Sequence, residues 1–532
     1  MFFKNLTDKD KQYIITVYTQ VGLLHEEKME ILSKKYEVTP RTIRAWAYKM
    51  EIKGDVYESR LSSQLLDARN RELDNDTEIL LVTAAQNKVV ANFKMLQSLE
   101  KYKELLTSMG HKTQIVIIPV KYRNPTTIGE KANKKSEDWW VDEVEPYLYY
   151  NKLYFGDSLI AADSRITPTA SLPLEGYESL AFSEHLVLGH PRIHLKPIAR
   201  FKNQKLRVMT TTGFCTLKHY SKSKAGDKGF IHHTYGFTII EKKKSDTCYT
   251  PRSVKVNHDG TFTDLTYKVT PDEVIKLNEC KGLILGDIHY ENIDTDKMKK
   301  TYQIMNVLKP EKLILHDLFD GSTVNLHENK DLYIRRKKIR EKKYEIQREL
   351  DNTLDYIKEL KNSFKETSIK IIQSNHDDFL DKWINEIDWR KDLHNSEAHL
   401  KLALIQQTQD LEKYGNIFGY LVSEIEDVEY INNNQGLIIA SHQVGEHGNH
   451  GVNGSKGNIN SFKKLNQKMI IGHGHSPQIV DGIVMVGVSC KLYQYYNSKG
   501  MSSWGHGDAI IHLDGKVQLI IYDEDYQISN LI

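Results

Sequence analysis

The sequence predicts a multidomain α/β protein with a helical N-terminal unit. Three observations lead there. The chain has 532 residues, enough for about three or four domains at roughly 100–200 residues each. Around 77–120, two apolar runs flank an amphipathic stretch, the pattern of a β-α-β unit. From 281 onward, five short apolar runs each end in Asp, Asn or His. Strands of open α/β sheets deliver polar groups to their carboxyl ends in this way.

Residues 1–60 read as helices. Leu6-Thr7 would cap a first helix through Ile14 to Val21, and a second would run from about Glu26 to Lys35. Thr39 would cap a third, with Pro40 at its first position. Ile31, Leu32, Val38, Ile43 and Trp46 would close a small core. The segment resembles a helix-turn-helix unit, which would place Arg41, Arg44 and Lys49 on or near a DNA-facing surface. A small helical assembly or docking domain is the alternative. Residues 61–76 are polar and read as a linker helix or hinge.

A change of pattern at Thr77 opens a middle α/β domain over 77–270. TEILLVTAA and QIVIIPV are its first two strands, with a helix from Asn87 to Met109 between them, and parallel pairing follows. Further strands are expected near 158, 206 and 235. The stretches KYRNPTT, HPRIHLKPIARFKNQK and HYSKSKAGDKGFIHH interleave basic and aromatic residues. They suit a surface that tracks a phosphate backbone, or are ordinary solvated loops.

The third unit, 271–532, carries the chemistry. KGLILGDIH supplies Asp287 and His289; EKLILHDLFD supplies Asp317 and Asp320. SIKIIQSNHDD supplies Asn375, His376 and Asp377; QGLIIASHQ supplies His442; KMIIGHGH supplies His473 and His475. Carboxylates bridge divalent ions and neutral imidazoles fill their remaining positions, so the set suits two cations. Any one motif is weak, because a lone buried histidine is usually a core residue. All five in this order are a strong signal.

That order, D-x-H, D-x-x-D, N-H-D, H and G-H-x-H, resembles the calcineurin-like metallophosphoesterase superfamily over about 240 residues, with a nuclease type suggested by HDLFD. The resemblance implies a β-sandwich flanked by helices. It implies one ion on Asp287, His289, Asp317 and His475 and another on Asp317, Asn375, His442 and His473. It also implies His376 as the catalytic histidine with Asp377 orienting it, and Mn²⁺ as the activating ion, although residue types alone leave Fe, Zn and Ni open. Two positions depart from the family: His316 and Ser374 stand where glycine is usual. With TAAQNK, KYRNPTT, GHPRIHLKP, TTTG, the SNHDDF–DWR stretch and GHGHSPQIVDG, the whole chain also looks like a family of tailed-phage metallophosphoesterases. In size and architecture it is similar to the pre-early nuclease with which some siphophages degrade host DNA.

Two further segments bear on substrate. The charged stretch 328–365 reads as a long helix or a helix pair and opens on a basic cluster that includes Arg335, Arg336 and Lys337. The Gly- and Asn-rich loop 442–462 offers His447, His450 and Lys456 as substrate contacts, or is a plain surface loop.

Composition sets the outer bounds. Hydrophobic residues make up 39% and charged residues 27% of the chain, as in globular proteins. Lys and Arg total 73 against 71 for Asp and Glu, so global charge decides nothing about a nucleic-acid partner. Cys215, Cys248, Cys280 and Cys490 form no CxxC pair, which argues against a disulfide framework or a Cys-type zinc site and fits a reducing cytosol. No apolar run approaches the roughly 20 residues of a membrane span, and the N-terminus lacks a signal-peptide core. The expectation is a cytoplasmic, homo-oligomeric phosphodiesterase acting on DNA, in the host cytoplasm if phage-encoded. A phosphoesterase for a nucleotide or phosphoprotein, and a DNA-binding or assembly protein with a non-catalytic fold, are the alternatives.

Overall fold

The apolar runs that carry the Asp, Asn and His motifs are mostly strands buried on both faces. This holds in a computed structural model that describes residues 6–19, 25–50, 63–122, 139–433, 435–465, 467–494, 497 and 500–523. In Cys280–Leu285, Leu283 and Leu285 pack on one face and Ile284 on the other. Leu313 and Leu315 oppose Ile314 in the same way, and Ile369 and Ile371 oppose Ile372. Burying a Leu or Ile fully is worth roughly 1.5–3 kcal/mol, so a one-residue slip that reversed these faces would be costly.

Among the described residues these strands belong to a six-stranded sheet. Its spatial order is Val428–Ile431, Ser368–Ile372, Pro310–His316, Cys280–Leu285, Gly507–Ile511 and Val517–Ile521. The first four run parallel, so their carboxyl ends share one edge. Helices Thr295–Leu308, Ile346–Ser363, Phe379–Glu386 and Ile417–Ser423 cover the outer face through Met298, Leu350, Trp383 and Phe418. The charged stretch 328–365 is several pieces: Leu326–Asn329, Leu332–Arg340 and Ile346–Ser363.

The inner face packs against a second sheet of ten strands through Ile284, Ile314, Val208, Ile470, Val484 and their neighbours. This sheet crosses the boundary expected at 270. Ile479 of Gln478–Val480 pairs with Leu195 of Leu195–Ile198, and Arg207–Thr211, His185–Leu188, Ser158–Ala161 and Lys152–Phe155 continue outward. Strands from 77–270 and from 271–532 thus share one sheet. Short strands say little, by sequence alone, about which sheet they will join.

The expected β-α-β unit is present. Ile79–Gln86 and Thr113–Val120 pair in parallel around the helix Phe93–Ser108. With Gly236–Glu241 and Arg252–Lys255 they make a four-stranded sheet. Within the expected linker, helix Ser63–Asn70 is fastened to this unit, where Gln64 Oε1 accepts the Trp140 backbone N–H at 2.7 Å.

At the N-terminus, Asp8–Thr19, His25–Tyr36 and Pro40–Lys49 enclose a core of their own: Ile14, Leu32, Ile43 and Trp46. Thr7 and Asp10 cap the first helix reciprocally, at 3.0 and 3.2 Å. Ile31, expected in this core, faces solvent. Its neighbour Leu32 takes the buried position, one step around the helix. Among the described residues no helix is long and apolar enough to cross a membrane.

Candidate metal centre

The carboxyl-terminal edge of the two sheets turns sharply. Asp317, His289, His473 and His475 all have positive φ, at 46°, 43°, 63° and 56°. Such left-handed residues cost on the order of 1–3 kcal/mol each and concentrate at functional sites. Neighbouring glycines make room for these turns. A Cβ on Gly472 would strike the Asp287 carboxylate, and one on Gly474 would strike the Met485 sulfur. His316 is tolerated in place of glycine because Gly472 gives way: the Gly472 Cβ position lies 3.0 Å from the His316 Cβ.

Asp287 and Asp317 are almost wholly enclosed, with 0% and 1% of their surface exposed. Imidazoles surround them. His475 Nε2 lies 3.1 Å from Asp287 Oδ2, while His289 Nε2 and His447 Nε2 lie 3.6 and 3.4 Å from Asp317 Oδ2. His473 Nδ1 lies 3.0 Å from Asn375 Oδ1, and the His447 and His473 rings are 5.3 Å apart. One donor atom from each of Asp287, His289, Asp317 and His475 falls within 4.8 Å of the others.

These residues fit divalent cations. All four carboxylate oxygens of Asp287 and Asp317 are buried without a hydrogen bond, a costly arrangement unless a positive charge compensates. The local field demands such a charge. Burial alone would keep His289 neutral, yet Asp317 and Asp320 outweigh it and raise its pKa to about 9. The donors are oxygen and imidazole nitrogen with no thiolate, which suits Mn, Fe, Zn or Ni. Asp320 Oδ1 lies 3.2 Å from His289 Nδ1, so it directs the other ring nitrogen, Nε2, into the cluster.

His376 stands beside this centre. Its Nδ1 meets the Asp320 carbonyl at 2.6 Å, so Nε2 is left for a substrate. The expectation that Asp377 orients His376 is not met. Asp377 Oδ2 accepts the Ser374 N–H at 2.9 Å and the Tyr430 hydroxyl at 2.8 Å. It braces the turn in which Ser374 replaces glycine, and the orienting group is the Asp320 carbonyl.

No family model matches the chain. Protein A1 of Escherichia phage T5 is 27% identical to it over 460 residues, covering 83% of this chain and 81% of that protein. Among solved structures, Chaetomium thermophilum Vps29 aligns with 38% of this chain and 97% of its own, at 11% identity and a TM-score of 0.19. That last likeness is too slight to carry an argument.

Two assignments change. His442 is not at the cluster: it pairs with Ile439 across a two-residue turn at Ala440 and Ser441, both with positive φ. It lies level with Lys468, at the opposite end of the strand that leads to His473. His447, expected to contact substrate, is instead fully buried, with its Nε2 3.4 Å from Asp317 Oδ2. The run QGLIIASHQ reads as one strand because Ala-Ser carries no turn signature such as Asn-Gly. Flanking glycines, Gly445 and Gly448, were the available sign that Glu446-His447 sits in a tight approach.

The proposed substrate contacts scatter. Arg41, Arg336, Lys337, His450 and Lys456 are exposed, whereas the side chains of Arg44 and Lys49 lie outside the described residues. Arg335 is engaged within the fold, stacked on Tyr344 at 5.0 Å and 3.6 Å from Asp392. Lys337 lines a cleft of about 440 Å³ with His376, Asp320, Lys202, Lys343 and Tyr493.

Proposed function

We propose that the chain is a phage-encoded phosphodiesterase of the calcineurin-like superfamily that hydrolyses DNA with two divalent ions, Mn²⁺ foremost. The observation that carries this reading is the pair of buried carboxylates, Asp287 and Asp317, whose four oxygens lack hydrogen bonds inside a ring of imidazoles. Asp287, His289, Asp317 and His475 would hold one ion, and Asp317, Asn375, His447 and His473 the other. Ions so held would stabilise charge on the phosphate and lower the pKa of an attacking water.

The chain's own groups supply the rest. With Nδ1 against the Asp320 carbonyl, His376 offers Nε2 to the leaving oxygen as a proton donor. Lys202, Lys337 and Lys343 line the same cleft and would hold the phosphates on either side of the bond. Arg41, exposed on the third N-terminal helix, supports a helix-turn-helix type of docking to duplex. Similarity to a phage T5 protein supports a phage origin, and with it action on host DNA in the host cytoplasm.

The test is cleavage of circular and linear duplex DNA by the full-length protein, with Mn²⁺, Mg²⁺ or EDTA, beside His376→Ala. Loss of both DNA forms with Mn²⁺, abolished by EDTA and by the substitution, is expected of an endonuclease; loss of linear DNA alone marks an exonuclease. Cleavage that persists in EDTA, or at full rate in the variant, would sink the reading.

A further inference from the structure

The opposite edge of the same strands is also charged, with the opposite sign. A cavity of about 920 Å³ opens where five pieces of chain meet. They are the end of Arg252–Lys255, the turn before Val517–Ile521, and the starts of His442–Gln443, Lys468–Ile471 and Ile483–Met485. Lys468 and His473 are five residues apart on an extended run, so the cavity lies roughly 16 Å from the metal centre at about 3.3 Å per residue.

Lys255, Lys468 and Lys516 converge on this cavity, with His442 beside them. Burial first, and then Lys468 and Lys516, depress Lys255 to about 8. Among the described residues none of the three forms an ion pair. Asp514 acts on Lys516 but does not line the cavity, and it leaves one carboxylate beside three amines; it accepts the Lys516 backbone N–H at 3.0 Å and the Asn257 amide at 3.2 Å. Asp481 also lines the cavity, but Arg192, His194 and Lys463 already surround it at 2.9, 3.0 and 2.9 Å. Arg192 keeps a buried Nε without a partner. Positive charge is therefore in surplus here, and its self-repulsion works against the fold unless an anion binds. Phe230, 53% exposed, and Tyr235 line the same space and offer flat apolar surface.

We propose that this cavity is a second, non-catalytic site for a nucleotide ligand, with consecutive phosphates on Lys255, Lys468 and Lys516 and a base beside Phe230 and Tyr235. Its volume suits a ligand of about that size. A single DNA strand and a free nucleoside triphosphate share this chemistry.

The experiment measures binding of fluorescein-labelled dT12 and of a fluorescent ATP analogue to the full-length protein in EDTA, which keeps the metal centre silent. Wild type is compared with Lys468→Gln/Lys516→Gln and with the matching Arg pair. Lys468 is exposed and Lys516 half-buried, so the substitutions leave the packing alone. The Gln pair should weaken binding about tenfold or more and flatten the salt dependence by about 1.4 in log–log slope for two lost phosphate contacts. The Arg pair should not. Loss confined to dT12 identifies a strand as the ligand; loss of the ATP analogue identifies a free nucleotide. Equal binding of both probes by wild type and the Gln pair, or no binding by wild type, would overturn the proposal.

Discussion

The two ends of the strand Lys468–Ile471 differ in the charges they face. Beyond its carboxyl end, His473 and His475 stand beside two buried carboxylates that lack hydrogen bonds. At its start, Lys468 and His442 face other cations and no free acid. His473 is lowered to about 4 by burial and then by His447, so the contrast lies between two other histidines, five residues apart. Buried His447 is raised, because Asp317 and Asp287 outweigh its burial. His442 is lowered to about 4, by burial first and then by Lys255 and Lys468. A histidine five residues from another can thus belong to chemistry of the opposite sign. Position along the strand decides, not proximity in sequence.

Substitutions can break this comparison. Asp317 touches both proposed ions, so Asp317→Asn should have the largest effect, exceeding the roughly 100-fold loss typical of outer partners of metal sites. DNA cleavage in Mn²⁺ reads it directly. Next comes the contrast between histidines. His447→Ala should lower Mn²⁺ affinity more than about tenfold, whereas His442→Ala should leave both metal affinity and cleavage at wild-type level. Titration calorimetry of the two variants side by side decides between them. Asp320→Asn releases the carboxylate that directs His289, and a 10- to 100-fold loss of metal affinity or activity is expected, of the order seen for such partners.

The smallest effect concerns stability. Burial pushes the Asp377 carboxyl up to about 8, despite the Ser374 N–H that opposes the shift. The folded chain keeps this proton until about pH 8, while the unfolded chain releases it near pH 4. The stability tied to this proton is therefore complete below about pH 4 and is lost as pH rises towards 8. The melting temperature in EDTA should fall between pH 5 and 8, and Asp377→Asn should flatten the fall. Parallel slopes for the two proteins would remove Asp377 as the cause.

Much of this was legible in the chain. The buried strands in KGLILGD and EKLILHD followed from their continuous apolar runs, and the polar residues after them do meet. The N-terminal helices begin at the Thr7 and Thr39 caps, as capping chemistry requires. What escaped was tertiary. Nothing in LKPI or RVMTT says that these strands extend the sheet of another region, because pairing partners are set by packing far away in sequence. His442 was misplaced because a turn without Asn or Gly is invisible to pattern. The basic cavity was hidden because Lys255, Lys468 and Lys516 are separated by hundreds of residues or tens of residues and form no local charge run.

The most direct measurement is the metal content of the full-length protein after equilibration with Mn²⁺, for wild type, Asp317→Asn, His447→Ala and His442→Ala. Two ions per chain in wild type and His442→Ala, with loss in Asp317→Asn and His447→Ala, is the expected result. Full occupancy in His447→Ala together with loss in His442→Ala would contradict the assignment of the centre to the carboxyl-terminal edge, and no bound metal in wild type would contradict the centre itself.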